Sequence, residues 1–233
     1  MTIVLHELAL ERGILSSPFC WMVRFALAHK GLDYQSAPTS FTGIPAICGG
    51  GQKMVPVIED GGQVVADSWV IAEHLEAAHA DRPSLFGGAL GRNYARFVLA
   101  SFATHILRAA VRTVTGEVYK KVQPEDRDYY RESRAQRFGM PIEEFTAAPV
   151  TERIAALRAT LDPLRTVLKD QPFLSGAAPL YADYVAAGFL LWWRAASPER
   201  VLEKDDALIP WFERMLALYP RIAKDSTRTW DGP

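Results

Sequence analysis

The sequence changes character near residue 85, and this change limits the folds that the chain can adopt. Up to about residue 80, short runs of β-prone residues alternate with helical patterns. From about residue 90 onward, apolar residues recur at helical spacing and no segment shows the alternation of a convincing strand. The 233 residues therefore predict an α+β fold of two domains, 1–82 and 88–233.

The first part has the order strand, helix, strand, then a Gly-rich loop, two strands and a helix. Ser17 before Pro18 is a helix-start signal, with Ser as N-cap and Pro at the first helical position, and this helix stops at Gly31. Another helix opens at Ser68. The predicted strands are Thr2–Leu10, Tyr34–Pro38, Val55–Glu59 and Gln63–Ala66. This order, with a proline at the start of the third strand, predicts a thioredoxin-like domain.

The second part is predicted to be all-α. Its helical patterns are separated by proline, glycine or polar runs. The predicted helices are Tyr94–Val118, Glu125–Phe138, Thr151–Leu168, Tyr181–Ala195 and Asp205–Tyr219.

Charge and composition exclude several classes of function. The net charge is −1 and the isoelectric point is near 6.5, so no overall positive field would hold nucleic acid or an anionic membrane. The N-terminus lacks the pattern of a secretion signal, and no apolar stretch reaches transmembrane length. Two cysteines cannot form a disulfide framework. We therefore expect a cytoplasmic protein without nucleic-acid or membrane partners.

No metal site is predicted from the spacing of histidines and cysteines. The five histidines form no His-x-x-x-His pair, and neither Cys20 nor Cys48 belongs to a Cys-x-x-Cys pair or to a Cys/His cluster with zinc spacing. We expect the histidines to be structural.

The segment Ser17-Pro18-Phe19-Cys20 stands where a thioredoxin-like fold places its working thiol, but its leading residue is Ser. The N-terminus of a helix favours an anion, and a hydroxyl aimed at the same point can donate one further hydrogen bond. A thiolate at this position must therefore arrive with a substrate. An ordinary helix cap is the alternative interpretation of Ser17.

Two further motifs could hold a peptide-like ligand. Pro56 lacks an N–H, so the backbone of Val55 is left free to pair with an extended ligand. Asp67 and Ser68 open a helix and could bind an ammonium and a carboxylate, respectively. An edge-strand proline and a plain helix cap are the corresponding alternatives.

Taken together, these three motifs resemble those of glutathione transferases of the Ser-type classes. The resemblance covers nearly the whole chain, because the all-α remainder fits the second domain of that family. Further segments are similar to the bacterial β-etherase and fungal FuA-type branch. These segments are Ser17–Trp21, Tyr130–Arg134, Arg137–Gly139 and Pro179–Tyr184.

The resemblance implies a role for each motif residue. Ser17, or Ser16 after a one-residue shift of the loop, would hydrogen-bond the glutathione sulfur. Cys20 matches the second cysteine of a glutaredoxin-like motif whose first cysteine is replaced by Ser17, which makes dithiol chemistry doubtful. The remaining glutathione-binding residues that the resemblance implies are Lys53, Val55, Pro56, Asp67 and Ser68.

The implied function is the transfer of glutathione to a hydrophobic, aromatic electrophile, in detoxification or the degradation of aromatic compounds, with β-aryl ether cleavage as one form. The candidate pocket residues are Arg112, Tyr119 and Trp192, drawn from the aromatic and basic residues of the helical domain. A non-catalytic carrier of glutathione conjugates and a thiol transferase using Cys20 are the alternatives. The resemblance also implies a homodimer.

One position departs from the family pattern. Many members begin a core helix of the second domain with Ser or Thr three residues before an Asp, but Leu180 precedes Asp183 here. A side-chain cap worth about 1 kcal/mol is therefore lost unless Asp183 compensates for it.

Overall fold

A four-stranded mixed sheet forms the core of the N-terminal part in the computed structural model, which describes residues 2–226. The strand order is β2-β1-β3-β4; β1 and β2 are parallel, whereas β3 is antiparallel to both β1 and β4. The strands are β1 (Ile3–Leu8), β2 (Tyr34–Thr39), β3 (Val57–Asp60) and β4 (Gln63–Ala66).

Two helices complete this domain. Helix α1 spans Pro18–His29 and α2 spans Ser68–Ala78. Both supply apolar side chains to the core that includes Leu5 and Ile58 of the sheet. The predicted order of strands and helices is confirmed, and the strand ends differ from the predicted ones by a few residues.

The remainder of the described chain is helical, apart from one isolated bridge between Phe173 and Gly176. The prediction of an all-α second part is therefore confirmed for residues 79–226. Its helices are α3 (Ala89–Ser101), α4 (Leu107–Lys121), α5 (Arg127–Phe138), α6 (Ile142–Phe145), α7 (Val150–Thr160), α8 (Asp162–Val167), α9 (Tyr181–Ala196), α10 (Leu208–Leu218) and α11 (Pro220–Asp225).

The predicted helix Thr151–Leu168 is wrong as a single element, because the chain breaks between α7 and α8 at Leu161. Pro163 follows two residues later. Pro163 has no backbone N–H to donate to the carbonyl of Ala159, and its ring would clash with that carbonyl in a continuous helix. The apolar periodicity continues across this break, which explains why the pattern alone did not reveal it.

Helices α3 and α4 form one continuous stretch, because a π-helical segment at Phe102–Ile106 joins them. The stretch Ala89–Lys121 has 33 residues, and its most apolar part has a mean hydropathy of 1.3, so by length and composition alone it could cross a membrane. This corrects the expectation that no apolar segment reaches transmembrane length. The indication is weak, because four arginines lie along this stretch, at positions 92, 96, 108 and 112.

Helix α9 is the central helix, and all sixteen of its residues are buried. It packs against α1 at Gly188, where an added Cβ would lie 2.9 Å from the carbonyl oxygen of Pro18. At its N-terminus, Asp183 accepts hydrogen bonds from the backbone N–H groups of Leu180 (3.2 Å) and Leu174 (2.7 Å). Asp183 thus accepts hydrogen bonds at the start of α9, where the side chain of Leu180 cannot cap the helix.

The predicted domain limits, 1–82 and 88–233, stay predictions. The chain passes from α2, which ends at Ala78, to α3, which begins at Ala89. Residue 1 and residues 227–233, which these limits include, lie outside the described residues.

Candidate functional site

A cleft of about 280 Å³ lies between the start of α1, the segment before β3, and helices α4 and α5. Five of the residues predicted from the sequence line it: Ser16, Ser17, Lys53, Val55 and Trp192. Its walls are otherwise largely apolar and aromatic. They include Phe41, Leu107, Val111, Val114, Tyr130 and Phe138.

Ser17 is the N-cap of α1. Its backbone is extended (φ −145°, ψ 121°), and its Oγ accepts a hydrogen bond from the backbone N–H of Cys20 at 3.3 Å. A hydroxyl that accepts one hydrogen bond keeps its own proton for donation. Ser17 can therefore cap the helix and also contact the glutathione sulfur, as the resemblance implies. The cap positions its side chain.

Ser16 lies beside Ser17 and lines the same cleft. Its backbone N–H donates to the carbonyl of Leu8 at 3.1 Å, which fixes the residue against β1. Its Oγ is buried and has no hydrogen-bond partner among the described residues. Two hydroxyls are thus present at the start of α1, and only that of Ser17 caps the helix.

The peptide bond between Val55 and Pro56 is cis. The ladder between β3 and β4 begins at Val57, which pairs with Ala66, so Val55 lies just before the paired part of β3. Val55 lines the cleft together with Lys53, whose side chain is exposed.

Asp67 and Ser68 form the start of α2, outside the cleft walls described above. The Asp67 Oδ1 accepts hydrogen bonds from the N–H groups of Trp69 (2.8 Å) and Val70 (3.1 Å), and Asp67 has a positive φ of 77°. Such a conformation is costly for a residue other than glycine and is common at functional sites. The corner is therefore held in a defined conformation by the cap.

The helical domain contacts this corner directly. The buried hydroxyl of Tyr181, at the start of α9, donates to the Ser68 carbonyl at 2.8 Å. Burial raises the pKa of this phenol, so it stays protonated as the donor. Tyr181 was not predicted as a site residue.

Two of the predicted electrophile residues lie away from the cleft walls. The ring of Tyr119 stacks on that of Tyr130, with centroids 6.2 Å apart. The guanidinium of Arg112 lies over the ring of Phe145, 4.9 Å from its centroid, and lines a neighbouring depression. Tyr119 therefore supports a cleft residue from behind, and Arg112 belongs to the outer surface.

Phe41, Tyr130 and Arg134 are among the cleft residues that were not predicted as site residues. The Arg134 guanidinium lies 4.5 Å from the ring centroid of Tyr130 and 5.3 Å from that of Phe41. Tyr130 and Arg134 belong to a segment that carried the resemblance to one branch, and this was the only signal in the sequence.

The loop that carries Phe41 is tied to the helical domain by Asp126. This buried carboxylate accepts hydrogen bonds from the N–H of Phe41 (2.7 Å), the N–H of Thr42 (3.1 Å) and the hydroxyl of Thr42 (2.5 Å). Asp126 is 1% exposed, so these bonds are shielded from water. One wall of the cleft is thus fixed by a residue from the other domain.

Cys20 is buried in α1 and is 2% exposed. Burial, with a smaller contribution from the negative charge of Glu7, raises the pKa of its thiol to about 12. A thiol in this state is a poor nucleophile at neutral pH.

Cys48, His6 and Glu59 form a cluster that their spacing in the sequence did not reveal. The His6 Nε2 lies 2.8 Å from the Glu59 Oε1 and 3.5 Å from the Cys48 Sγ. These three side chains could hold a metal ion by type and distance. The expectation that the chain has no metal site was based on the spacing of residues in the sequence. That spacing does not show that these three side chains lie close together.

Comparison with known proteins places these observations in a family. The N-terminal domain profile of glutathione S-transferases matches residues 16–78, and the C-terminal domain profile matches residues 89–213. The probable glutathione S-transferase GSTU6 of Oryza sativa subsp. japonica is 29% identical over 213 residues, which cover 88% of this chain and 83% of that protein.

Solved structures show the same fold. A glutathione S-transferase of Ceriporiopsis subvermispora, crystallised in complex with glutathione, is 20% identical, with a TM-score of 0.80 and 100% coverage of both chains. Glutathione transferase GSTFuA3 of Phanerochaete chrysosporium is 23% identical, with a TM-score of 0.76 and coverage of 97% of this chain and 98% of that one. Since the two family profiles together match most of the chain, this protein belongs to the glutathione S-transferase family.

Proposed function

We propose that this transferase uses Ser17 to stabilise the thiolate of bound glutathione, which then attacks a hydrophobic, aromatic electrophile. The observation that carries this proposal is the position of the Ser17 hydroxyl. It caps α1, lines the cleft and keeps a proton to donate at the helix end where an anion is favoured.

The Ser17 hydroxyl and the N-terminus of α1 can together supply the free energy that thiolate formation requires. A free thiol ionises near pH 8.5, and lowering its pKa by about two units requires about 2.7 kcal/mol of differential stabilisation. A charge-assisted hydrogen bond supplies about 1.5–3 kcal/mol. The helix N-terminus adds about 0.3–1 kcal/mol. One hydroxyl and one helix end are therefore sufficient.

The rest of glutathione would lie at the end of the sheet where β3 begins and β4 ends. We place its cysteinyl backbone against Val55, before Pro56, and its γ-glutamyl end at Asp67 and Ser68, with Lys53 near a carboxylate. The support for this placement is that Val55 lies outside the ladder and that Asp67 is held by its cap. The cleft lined by Lys53, Val55 and Trp192 would receive the electrophile.

The chemical step follows from the charge on sulfur. The thiolate forms a C–S bond with the electrophilic carbon, and the bond from that carbon to the leaving group breaks, with the electron pair leaving on that group. For a β-aryl ether the leaving group would be a phenolate, which takes its proton from solvent. The aromatic walls of the cleft, Phe41, Tyr130 and Trp192, support an aromatic electrophile.

A carrier function is the second candidate, and a separate cavity favours it. A largely apolar cavity of about 370 Å³ is lined by residues including Tyr94, Phe97, Phe102, Leu164 and Val185. A hydrophobic ligand could be held there without turnover. The third candidate, disulfide exchange through Cys20, receives no support from a buried thiol with a raised pKa.

We further propose a symmetric homodimer. Large apolar side chains are exposed on α2 and α3, where Val70 is 49% exposed, Phe97 70% and Leu90 86%. An isologous interface would cover such side chains on both copies. Both cysteines are free, which supports a location in a reducing compartment such as the cytoplasm.

The test combines binding and turnover. The purified protein is applied to immobilised glutathione and then incubated with glutathione and either aryl halides or β-aryl ethers, with products identified by mass spectrometry. We expect retention and a thioether product. Retention without turnover of any electrophile would favour the carrier, and loss of disulfide exchange in Cys20→Ser would favour the thiol transferase.

A further inference from the structure

The charged side chains that line the cleft all have the same sign. Among the described residues of its walls, the charged ones are Lys53, Arg134 and Arg137, and none is acidic. This is a local property, because the whole chain carries a net charge of −1. A cleft with low-dielectric walls and charges of one sign attracts ligands of the opposite sign.

Arg134 is held in place by ring contacts. Its guanidinium lies over the rings of Tyr130 and Phe41, both of which line the cleft. Tyr130 is buried and Phe41 is fixed by the bonds to Asp126, so the guanidinium is positioned before any ligand binds. Such preorganisation reduces the entropy lost on binding.

The donors of Arg134 are mostly free. Within residues 2–226, its guanidinium donates from Nη1 to the Ser133 Oγ at 3.2 Å and also interacts with the Tyr130 hydroxyl, and it has no acidic partner. Arg131, on the same helix, is instead paired with Glu143. Arg134 thus retains donors suited to a carboxylate or phenolate oxygen.

The positive charge continues outward. A depression of about 400 Å³ shares Leu107, Val111, Arg137 and Phe138 with the cleft. Its charged lining residues are Arg108, Arg112 and Arg137. Arg108 and Arg112 also line a further depression, and Glu152 is one of the residues that line that one.

Two other basic residues of the helical domain, at the end of α4, are occupied elsewhere. Lys121 donates to the carbonyls of Ala195 (2.9 Å) and Ala196 (3.0 Å), and Lys120 pairs with Glu117.

We propose that the electrophile is an aromatic compound that carries an anionic group, a carboxylate or phenolate, and that Arg134 binds this group at the mouth of the cleft. The apolar walls receive the ring, and Arg137 extends the positive surface. This inference rests on the proposed function, because it identifies the substrate class of the same cleft.

The test compares two aromatic rings that differ in one group. A chlorodinitrobenzoate and the carboxamide of the same ring are offered with glutathione, whose thiolate displaces chloride from the ring. We expect a KM for the benzoate about tenfold below that for the amide. Arg134→Gln removes this preference, and Arg134→Lys restores part of it. The matched control is Arg131→Gln, which removes an exposed arginine of the same helix and leaves the preference unchanged.

A binding measurement keeps the inference separate from catalysis. Dinitrobenzoate and dinitrobenzamide, which lack the leaving group, are titrated calorimetrically into the protein saturated with glutathione. Tighter binding of the benzoate, lost in Arg134→Gln, supports the inference even where no electrophile is turned over. Equal affinities for the two rings would overturn it. It would also be overturned if Arg134→Gln raised the KM for glutathione and left the ratio between the rings unchanged.

Discussion

Gly188 of α9 lies directly against the carbonyl oxygen of Pro18, at the first turn of α1. A Cβ at this position would be 2.9 Å from that oxygen and 3.2 Å from the backbone nitrogen of Met22. Real Cβ atoms do not approach a backbone oxygen as closely as 2.9 Å, so only glycine allows this distance between the two helices. The helical domain therefore sets the position of the residue that follows Ser17.

We predict that Gly188→Ala forces α1 and α9 apart. The expected result is a loss of about 1–3 kcal/mol in the free energy of unfolding, as for overpacking in a core, and a lower kcat because Ser17 moves with Pro18. Urea unfolding and steady-state kinetics with glutathione measure both effects.

Gly116→Ala is the matched control. Gly116 lies inside α4, and its added Cβ would approach the Thr146 Oγ1 no closer than 3.8 Å, an ordinary contact. We expect this variant to gain about 0.5–1 kcal/mol and to keep its activity. If Gly188→Ala behaved like Gly116→Ala, the close approach to Pro18 would have no functional meaning.

Asp126→Asn tests the connection between the domains at Phe41. The amide nitrogen cannot accept a hydrogen bond, so at least one of the donors on Phe41 and Thr42 loses its partner. We expect a cost of about 1–3 kcal/mol in stability. The KM for the electrophile should also rise, because Phe41 forms part of the cleft wall.

The exposed Asp128, two residues further along the same segment, provides the control. Asp128→Asn removes the same charge without touching the loop, so stability and KM should be unchanged. An equal rise in KM in both variants would show that charge, rather than the bonds to Phe41 and Thr42, is responsible.

The two cysteines should differ sharply in reactivity. A pKa raised from 9.0 to about 12 lowers the thiolate fraction of Cys20 at neutral pH about a thousandfold, and burial blocks access to it. Cys48 is partly exposed, and burial with the neighbouring Glu59 raises its pKa as well. We expect an aromatic disulfide reagent to label one thiol slowly in the folded protein and two after unfolding.

Cys48→Ser should abolish labelling of the folded protein, whereas Cys20→Ser should leave both that labelling and glutathione transfer intact. Rapid labelling of Cys20 in folded Cys48→Ser would contradict the burial of that thiol and would revive the thiol-transferase alternative.

The sequence predicted those features that depend on local signals. Ser17 before Pro18 marked the start of α1, and Asp67 and Ser68 marked that of α2, because capping involves residues only a few positions apart. The break at Leu161 also has a local cause in Pro163, but the continuous apolar pattern masked it.

Contacts between distant residues could not be predicted in this way. Asp126 and Phe41 are 85 positions apart in the chain, and Tyr181 and Ser68 are 113 apart. The position of Arg134 in the cleft wall depends on its contact with the ring of Phe41, which belongs to the other domain. Nothing in the spacing of one segment specifies such a partner, so the pocket residues Tyr119 and Arg112 were chosen by residue type alone.

The pH titration of bound glutathione tests the role of Ser17 most directly. The ultraviolet absorbance of the thiolate is followed against pH in the saturated complexes of the wild type, Ser17→Ala and Ser16→Ala. We expect a midpoint well below that of free glutathione in the wild type and in Ser16→Ala, and a midpoint shifted upward by one unit or more, about 1.4 kcal/mol, in Ser17→Ala. A midpoint unchanged in Ser17→Ala, or raised only in Ser16→Ala, would contradict the role of Ser17.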